Sequence, residues 1–237
     1  MPRASSDPQP PDLGRADQAA LNSGVIVAAA LHLVDQEGLD ALTMRRLARA
    51  LGVSPMSLYR HVDDKDDLLD QVLDAVVDRF AAPAAAGGWP EQVVGFFEEL
   101  RRLLLDHPGV ASLVASRAPR SAAWFRVMEQ ALRLLRAGGF EGEDAVAAFT
   151  ALLLYTLGFV MWELPGTGTA DRSDWERRRL ARLLNLLPDE LPTVVELAPH
   201  LQRRATPEQF AWGLDRLIAG MQAGPPPSAR RQEEGLP

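Results

Sequence analysis

Apolar residues recur along this chain at the spacing of helices. Ile26, Ala29, Ala30, Leu33 and Val34 fall at i, i+3, i+4, i+7 and i+8, one face of a helix over about 23–36. Gly38 is its natural stop. Thr43 is placed to cap a second helix, in which Met44, Leu47, Ala48 and Leu51 repeat the spacing and Gly52 ends the run. Ser54 then caps a third helix, with Pro55 at the first helical position, where its missing N–H costs nothing. That helix has only eight residues, 55–62, too few to be stable alone. Asp63 is expected to cap a fourth helix over 64–80, whose apolar line is Leu68, Leu69, Val72, Leu73, Val76 and Phe80.

After the joint "AAPAAAGGWP" at 81–90, helical patterns follow over about 90–106, 109–116, 121–138, 142–163, 173–187 and 206–222. No run alternates as a strand would, so the fold class is all-α. Residues 145–162 carry no charge over 18 positions, which is the length threshold of a membrane span. They include four alanines, two threonines and a glycine, and Asp144 and Glu163 bound them without a basic flank. A buried helix of a core or dimer interface fits this better than a membrane. Residues 1–21 and 224–237 are rich in Pro and polar residues and are expected to be disordered tails. The expected organisation is a first unit over 22–80 and a second over 88–223.

Composition narrows the chemistry. At 237 residues, 47% hydrophobic and 24% charged, the chain is long enough for real cores. It has no cysteine, which excludes disulfides, thiolate metal sites and cysteine nucleophiles. The four histidines, His32, His61, His107 and His200, are scattered, and no HExxH, GxSxG, P-loop or ExxH pair is present. No catalytic residue, metal ligand or cofactor is therefore expected, and the chain is not read as an enzyme. The N-terminus lacks the apolar core of a secretory signal, so a cytoplasmic location is expected.

The net charge of −7 argues against adhesion of the whole protein to nucleic acid. The window 23–62 differs: Arg45, Arg46, Arg49 and Arg60 there face only Asp35, Glu37 and Asp40. Its last two helices have helix–turn–helix spacing, and eight residues at 1.5 Å each span about 12 Å, close to the width of the DNA major groove. Leu58 and Val62 can pack inward with Leu51 and Val53, leaving Pro55, Met56, Ser57, Tyr59, Arg60 and His61 mostly outward. Arginine can pair phosphate or read guanine, serine can reach a base edge, and methionine and proline can meet a thymine methyl. A plain three-helix bundle with a solvated arginine face has the same spacing. The acids after Val62 oppose DNA unless Asp63 caps and the later ones turn outward.

The stretch "ALTMRRLARALGVSPMSLYRHVDDKDDLLDQVLDAV" resembles the DNA-binding region of the tetracycline-repressor (TetR) family of bacterial transcription regulators. The likeness covers roughly residues 24–76 and rests on Thr43, "LARALGVS" and "LYRHVDDKDDLL" in fixed spacing. It implies DNA-facing positions at Thr43, Arg45, Pro55, Met56, Ser57, Tyr59, Arg60, His61 and Lys65. Tyr59, His61 and Lys65 match the pattern for phosphate, whereas Pro55, Met56 and Ser57 lie where family members differ.

The rest of the chain is more loosely similar to the ligand-binding domain of the same family, through "FTALLLYTLGFVMWELPG" (149–166) and "ATPEQFAWGLDRLIAGMQA" (205–223). The resemblance implies a long helix joining a helix–turn–helix domain to an α-helical ligand-binding and dimerisation domain. It implies a homodimeric four-helix bundle, with Leu152, Tyr155, Phe210, Leu214, Leu217, Ile218 and Met221 as the expected contacts. An effector pocket would lie among the middle helices, with candidate lining residues Phe96, Leu100, Leu103, His107, Val114, Arg117, Trp124, Met128, Leu132, Tyr155, Phe159 and Trp162. Each aromatic or Met there could equally be plain core packing, and Arg117 or Glu163 could meet a charged ligand group. The metal–tetracycline ligands of the family find no match in this sequence, and the apolar lining suggests a hydrophobic or aromatic effector. The implied partners are a double-stranded DNA operator, a small molecule and a second copy of the chain, with no membrane. The implied activity is ligand-responsive regulation of transcription, read as repression with activation left open.

Overall fold

The computed structural model describes residues 21–83, 87–117, 120–164, 178, 181–182, 191–197, 199–200 and 206–223. The two expected tails lie outside the described residues except for Leu21, which packs against the core, and so does most of the helix expected over 173–187, of which Arg178, Ala181 and Arg182 are helical. Among the described residues every regular element is a helix.

The first unit begins with α1, Ser23–Glu37, started by the Asn22 side chain, which accepts from the Val25 N–H at 3.0 Å. It buries Ile26, Val27, Ala30, Leu33 and Val34. Gly38 ends it at φ 84°, a left-handed conformation that glycine adopts without a Cβ penalty. A short 3-10 turn, Leu39–Ala41, leads to α2, Met44–Ala50, whose first turn is capped by Thr43 Oγ1 accepting from the Arg46 N–H. Helix α3 is shorter than its sequence pattern predicts: regular helix covers Pro55–Leu58, and a turn closes it, with the His61 and Val62 N–H groups both donating to the Leu58 carbonyl. Helix α4 runs Lys65–Val77.

Asp64, not Asp63, caps α4; its Oδ1 accepts from the Asp67 N–H at 2.8 Å. The Asp67 carboxylate reaches back to the Asp63 N–H at 2.9 Å. The two carboxylates thereby satisfy two exposed donors at the start of one helix, a reciprocal arrangement that one cap residue cannot provide.

The second unit comprises α5 (Trp89–Asp106), α6 (Pro108–Ser116), α7 (Ala122–Ala137), α8 (Gly142–Glu163), the short unpredicted α9 (Pro192–Leu197) and α10 (Pro207–Ala223). Helix α5 carries the centre of the core: Phe96, Phe97, Leu100 and Leu104 are fully buried. Phe80, just beyond α4, meets Phe96 edge-on at 4.9 Å between ring centroids. One apolar cluster runs without a break from Ile26 in α1 to Ile218 in α10, so the two units share a core.

The long uncharged stretch forms the middle of α8. The helix is long and apolar enough to cross a membrane, but Leu152, Thr156, Leu157 and Val160 are buried inside the protein. Its C-terminal end is tied to α5 by the Arg101–Glu163 pair, with Nε–Oε2 at 2.8 Å and Nη2–Oε1 at 2.5 Å. The Arg101 guanidinium also lies 5.1 Å from the centre of the Phe210 ring, which joins α10 to the same point. A guanidinium this covered needs such partners, since an unpaired buried charge costs several kcal/mol by order of magnitude.

Candidate nucleic-acid interface

The helix–turn–helix surface is set by two inward anchors. Leu58 and Val62 are buried, as their four-residue spacing demands. Pro55, Met56, Tyr59, Arg60 and His61 are exposed, and so are Thr43, Arg45 and Lys65. Met56 is 72% accessible, a large apolar side chain held in water on a four-residue helix.

Ser57 departs from the expectation. Its Oγ lies 2.9 Å from Ser54 Oγ, its N–H donates to the same atom at 3.2 Å, and the residue is buried. Ser57 sits three residues after the cap, where a short polar side chain turns back onto the cap instead of outward. Sequence reasoning assigned it by type, without weighing this local competitor.

The acids after Val62 also depart in part from the sequence reading. Asp66, Asp70, Asp74 and Asp78 recur every four residues and so line one face of α4. That face meets α6 and α7 of the second unit. Arg117 approaches Asp66 at 3.2 Å and Asp70 at 2.7 Å. Arg120 stands 3.9 and 4.0 Å from the same two carboxylates. The Asp74 carboxylate accepts from the Ala123 N–H at 3.3 Å, and Asp78 pairs with Arg126 at 2.6 Å. Asp66 and Asp78 stay largely exposed, as expected, while Asp70 and Asp74 are half-buried; all four meet partners in the second unit and form a ladder between the units.

A second junction lies at the other end of α6. His107 closes α5 and opens α6 and supplies no side-chain cap of its own to α6. Asp35 of α1 does this instead, accepting from the Gly109 N–H at 2.9 Å and from His107 Nδ1 at 3.0 Å. A Cβ at Gly109 would lie 2.6 Å from the Val34 carbonyl carbon, so α1 and α6 approach this closely only over glycine. Helix α6 is therefore held at its start by α1 and at its end by α4.

The residues expected to line an effector pocket separate into three groups. Phe96, Leu100, Leu103, Val114 and Trp124 are buried in the α5–α7 core, with Met128 and Leu132 half-buried against it. His107 and Arg117 are engaged by Asp35 and by Asp66 and Asp70. Tyr155, Phe159 and Trp162 line a separate open groove of about 700 Å³ between α8 and α10, with Leu154, Gly158, Gln209, Trp212 and Gly213. The Tyr155 hydroxyl donates to the Phe210 carbonyl at 3.0 Å, and its ring stacks on Phe210 at 5.3 Å. Burial raises the Tyr155 pKa above its ordinary value of 10.0, against the opposing charge of Arg101.

Several expected dimer contacts are already spent within one chain. Leu152, Phe210, Leu214 and Ile218 are buried. On α10 the spacing Phe210, Leu214, Ile218 makes one stripe, and that stripe packs inward on the core of its own chain. Tyr155, Leu217 and Met221 are half-buried beside it. The face left outward is Val146, Leu154, Gly158, Met161 and Trp162 on α8, and Trp212 on α10. Leu154, Trp162 and Trp212 are 62%, 64% and 67% accessible. Their presence on one side of two adjacent helices was obscured in the sequence, because α8 is apolar all round.

Comparison with known proteins decides the family. Residues 26–72 match "Bacterial regulatory proteins, tetR family", and residues 82–224 match "Tetracyclin repressor-like, C-terminal domain". The chain belongs to the TetR family. Among its curated TetR-family relatives is an "HTH-type transcriptional regulator" of Saccharopolyspora erythraea, 36% identical over 185 residues, which are 78% of this chain and 70% of the relative. The Streptomyces coelicolor TetR family protein ActR, solved in complex with actinorhodin, superposes with a TM-score of 0.76 at 33% identity, covering 89% of this chain and 99% of that one. Mycobacterium smegmatis BioQ matches with a TM-score of 0.62 at 32% identity, covering 86% of this chain and 98% of that one. BioQ solved with its double-stranded DNA operator matches with a TM-score of 0.60 at 30% identity, covering 86% and 99%. The protein is a TetR-family transcriptional regulator.

Proposed function

We propose that this TetR-family regulator is a repressor that binds a pseudo-palindromic operator as a homodimer and is released by a small hydrophobic or aromatic effector. The observation that carries the DNA reading is the outward set on α3 and its turn: Met56, Tyr59, Arg60 and His61 are exposed together, on a helix anchored by Leu58 and Val62. Arg60, Met56 and Pro55 are assigned to base edges; Tyr59, His61, Lys65, Thr43 and Arg45 to phosphate or its surroundings. Ser57 is left out, because the cap at Ser54 holds it. The solved complex of BioQ with its double-stranded DNA operator supports DNA binding by similarity.

One short helix touches too few base pairs to be specific, whereas two related by a dyad read two half-sites. The exposed aromatic and aliphatic face of α8 and α10 suits a second copy. The unit over 22–80 then serves as DNA-binding domain and 88–223 as effector and dimerisation domain, acting in the cytoplasm. The effector is placed among α5, α6 and α7, around Phe96, Leu100, Val114, Trp124 and Met128, an apolar lining. The ActR complex with actinorhodin supports an aromatic class by similarity. A ligand can release DNA only if it binds the DNA-incompetent dimer more tightly.

Selecting duplexes from a random library should return a two-fold symmetric sequence. Tyr59→Ala and Lys65→Ala should each weaken binding across all sequences, and Lys65→Ala, which removes a cation, should also lower the salt dependence by roughly one unit of log K against log salt per protomer. A selection that returns no enriched sequence would refute operator reading. Unchanged DNA affinity with every compound shown to bind would refute effector release.

A further inference from the structure

The start of α4 holds two conflicting demands. A helix N-terminus is stabilised by carboxylates, and Asp64, Asp66 and Asp67 supply them. The same turn carries Lys65, next in chain to the recognition turn, where DNA phosphates are to be met. Asp63, Asp64, Asp66 and Asp67 against Lys65 leave this turn at −3. Bare, it repels the polyanion its neighbours must grip. Asp64 and Asp67 are consumed by capping bonds that keep their charge. Asp66 and Asp70 instead receive Arg117 and Arg120 from the other unit. With Asp66 and Asp70 balanced by those two guanidinium groups, the local charge of the turn falls to −2.

The Arg117 site is built for charge more than for hydrogen bonding. Its Nη2 donates to Asp70 Oδ1 and to the Asp66 carbonyl, while its buried Nε has no hydrogen-bond partner among the described residues. Arg120 is 69% accessible and too far from either carboxylate for a strong bond, yet close enough to screen both.

We propose that Arg117 and Arg120 are masking residues: lent by the effector unit, they neutralise Asp66 and Asp70 so that the DNA-binding unit can approach phosphate. Withdrawing α6 and α7 from α4 leaves the two carboxylates unpaired and lowers DNA affinity by repulsion, independently of the spacing between the two recognition helices. The inference rests on the DNA-binding reading above and deepens it.

A double-mutant cycle on the full-length chain tests it, with a fluorescent duplex carrying the library-selected sequence, at about 50 mM salt, where such terms are large. Arg117→Gln with Arg120→Gln should weaken binding roughly fivefold, from two unmasked charges per protomer. Asp66→Asn with Asp70→Asn should leave binding unchanged or tighten it. All four substitutions together should bind like the aspartate variant. Lysine at both arginine positions should bind like wild type, and the exposed Arg120→Gln alone should show a smaller loss of the same sign if the double variant fails to fold. Equal arginine losses with and without the aspartates would mean that the arginines touch DNA directly, and would overturn masking. Parallel weakening by the arginine and aspartate variants would mean a structural ladder only, and would overturn it too. Wild type that binds no duplex overturns the DNA reading itself, whereas wild type that binds with an additive cycle overturns masking alone.

Discussion

Individual side chains here are assigned by what competes for them. Ser57 has the chemistry to read a base edge, but Ser54 three residues earlier offers it a partner at 2.9 Å. Arg117 could meet an anionic ligand, yet Asp70 stands 2.7 Å away. Tyr155 keeps its proton because its hydroxyl donates to the Phe210 carbonyl and burial disfavours the phenolate. A folded-state pKa raised above 10.0 makes the stabilising contribution complete below pH 10. It is lost as pH rises through the folded value, because the unfolded chain releases its proton first. Tyr155→Phe should therefore be less stable than wild type at neutral pH, and the gap should narrow above pH 10. Urea unfolding midpoints at about pH 7 and pH 11 check this; a gap that widens with pH would contradict it.

At the scale of elements, α6 is the piece whose placement matters most. It is capped in trans by Asp35 of α1 and followed by the arginines that hold α4. Gly109 permits the first of these contacts. In Gly109→Ala the new methyl would strike the α1 backbone at Val34, which cannot rotate aside as a flexible side chain could. The variant should lose about 2 kcal/mol of stability, read as a lower urea midpoint. It should also lose DNA affinity, because α1 supports the recognition helices. A variant with wild-type stability would show that α1 and α6 are not in contact in solution.

For the whole molecule, the decisive surface is the outward side of α8 and α10. Water-exposed Leu154, Trp162 and Trp212 on one side of two packed helices are costly to leave uncovered, and a second copy would cover them. Leu154→Glu combined with Trp212→Arg should convert a dimer to a monomer in light scattering while leaving the helical circular dichroism unchanged. DNA binding should fall at least about a hundredfold, since the second half-site is lost. A double variant that remains dimeric would place the interface elsewhere.

Helix existence was legible in the sequence because each helix must repeat its apolar residues every three to four positions, whatever it packs against. That periodicity located α1, α2, α4 to α8 and α10, and the pairing of Ser54 with Pro55 located the start of α3. The outward set at Met56, Tyr59, Arg60 and His61 followed from the same rule, applied around Leu58 and Val62. What the periodicity cannot encode is the partner of each face. An apolar stripe such as Phe210, Leu214 and Ile218 reads the same whether it meets its own chain or another, and only packing assigned it to its own core. Four aspartates at four-residue spacing read as a solvated face, until α6 and α7 bring three arginines against them from about 50 residues away in sequence. Local spacing determined the helices and the exposed set around Leu58 and Val62. Tertiary structure decided which charges are paired and which apolar faces remain open, because those depend on contacts between segments that no local pattern records.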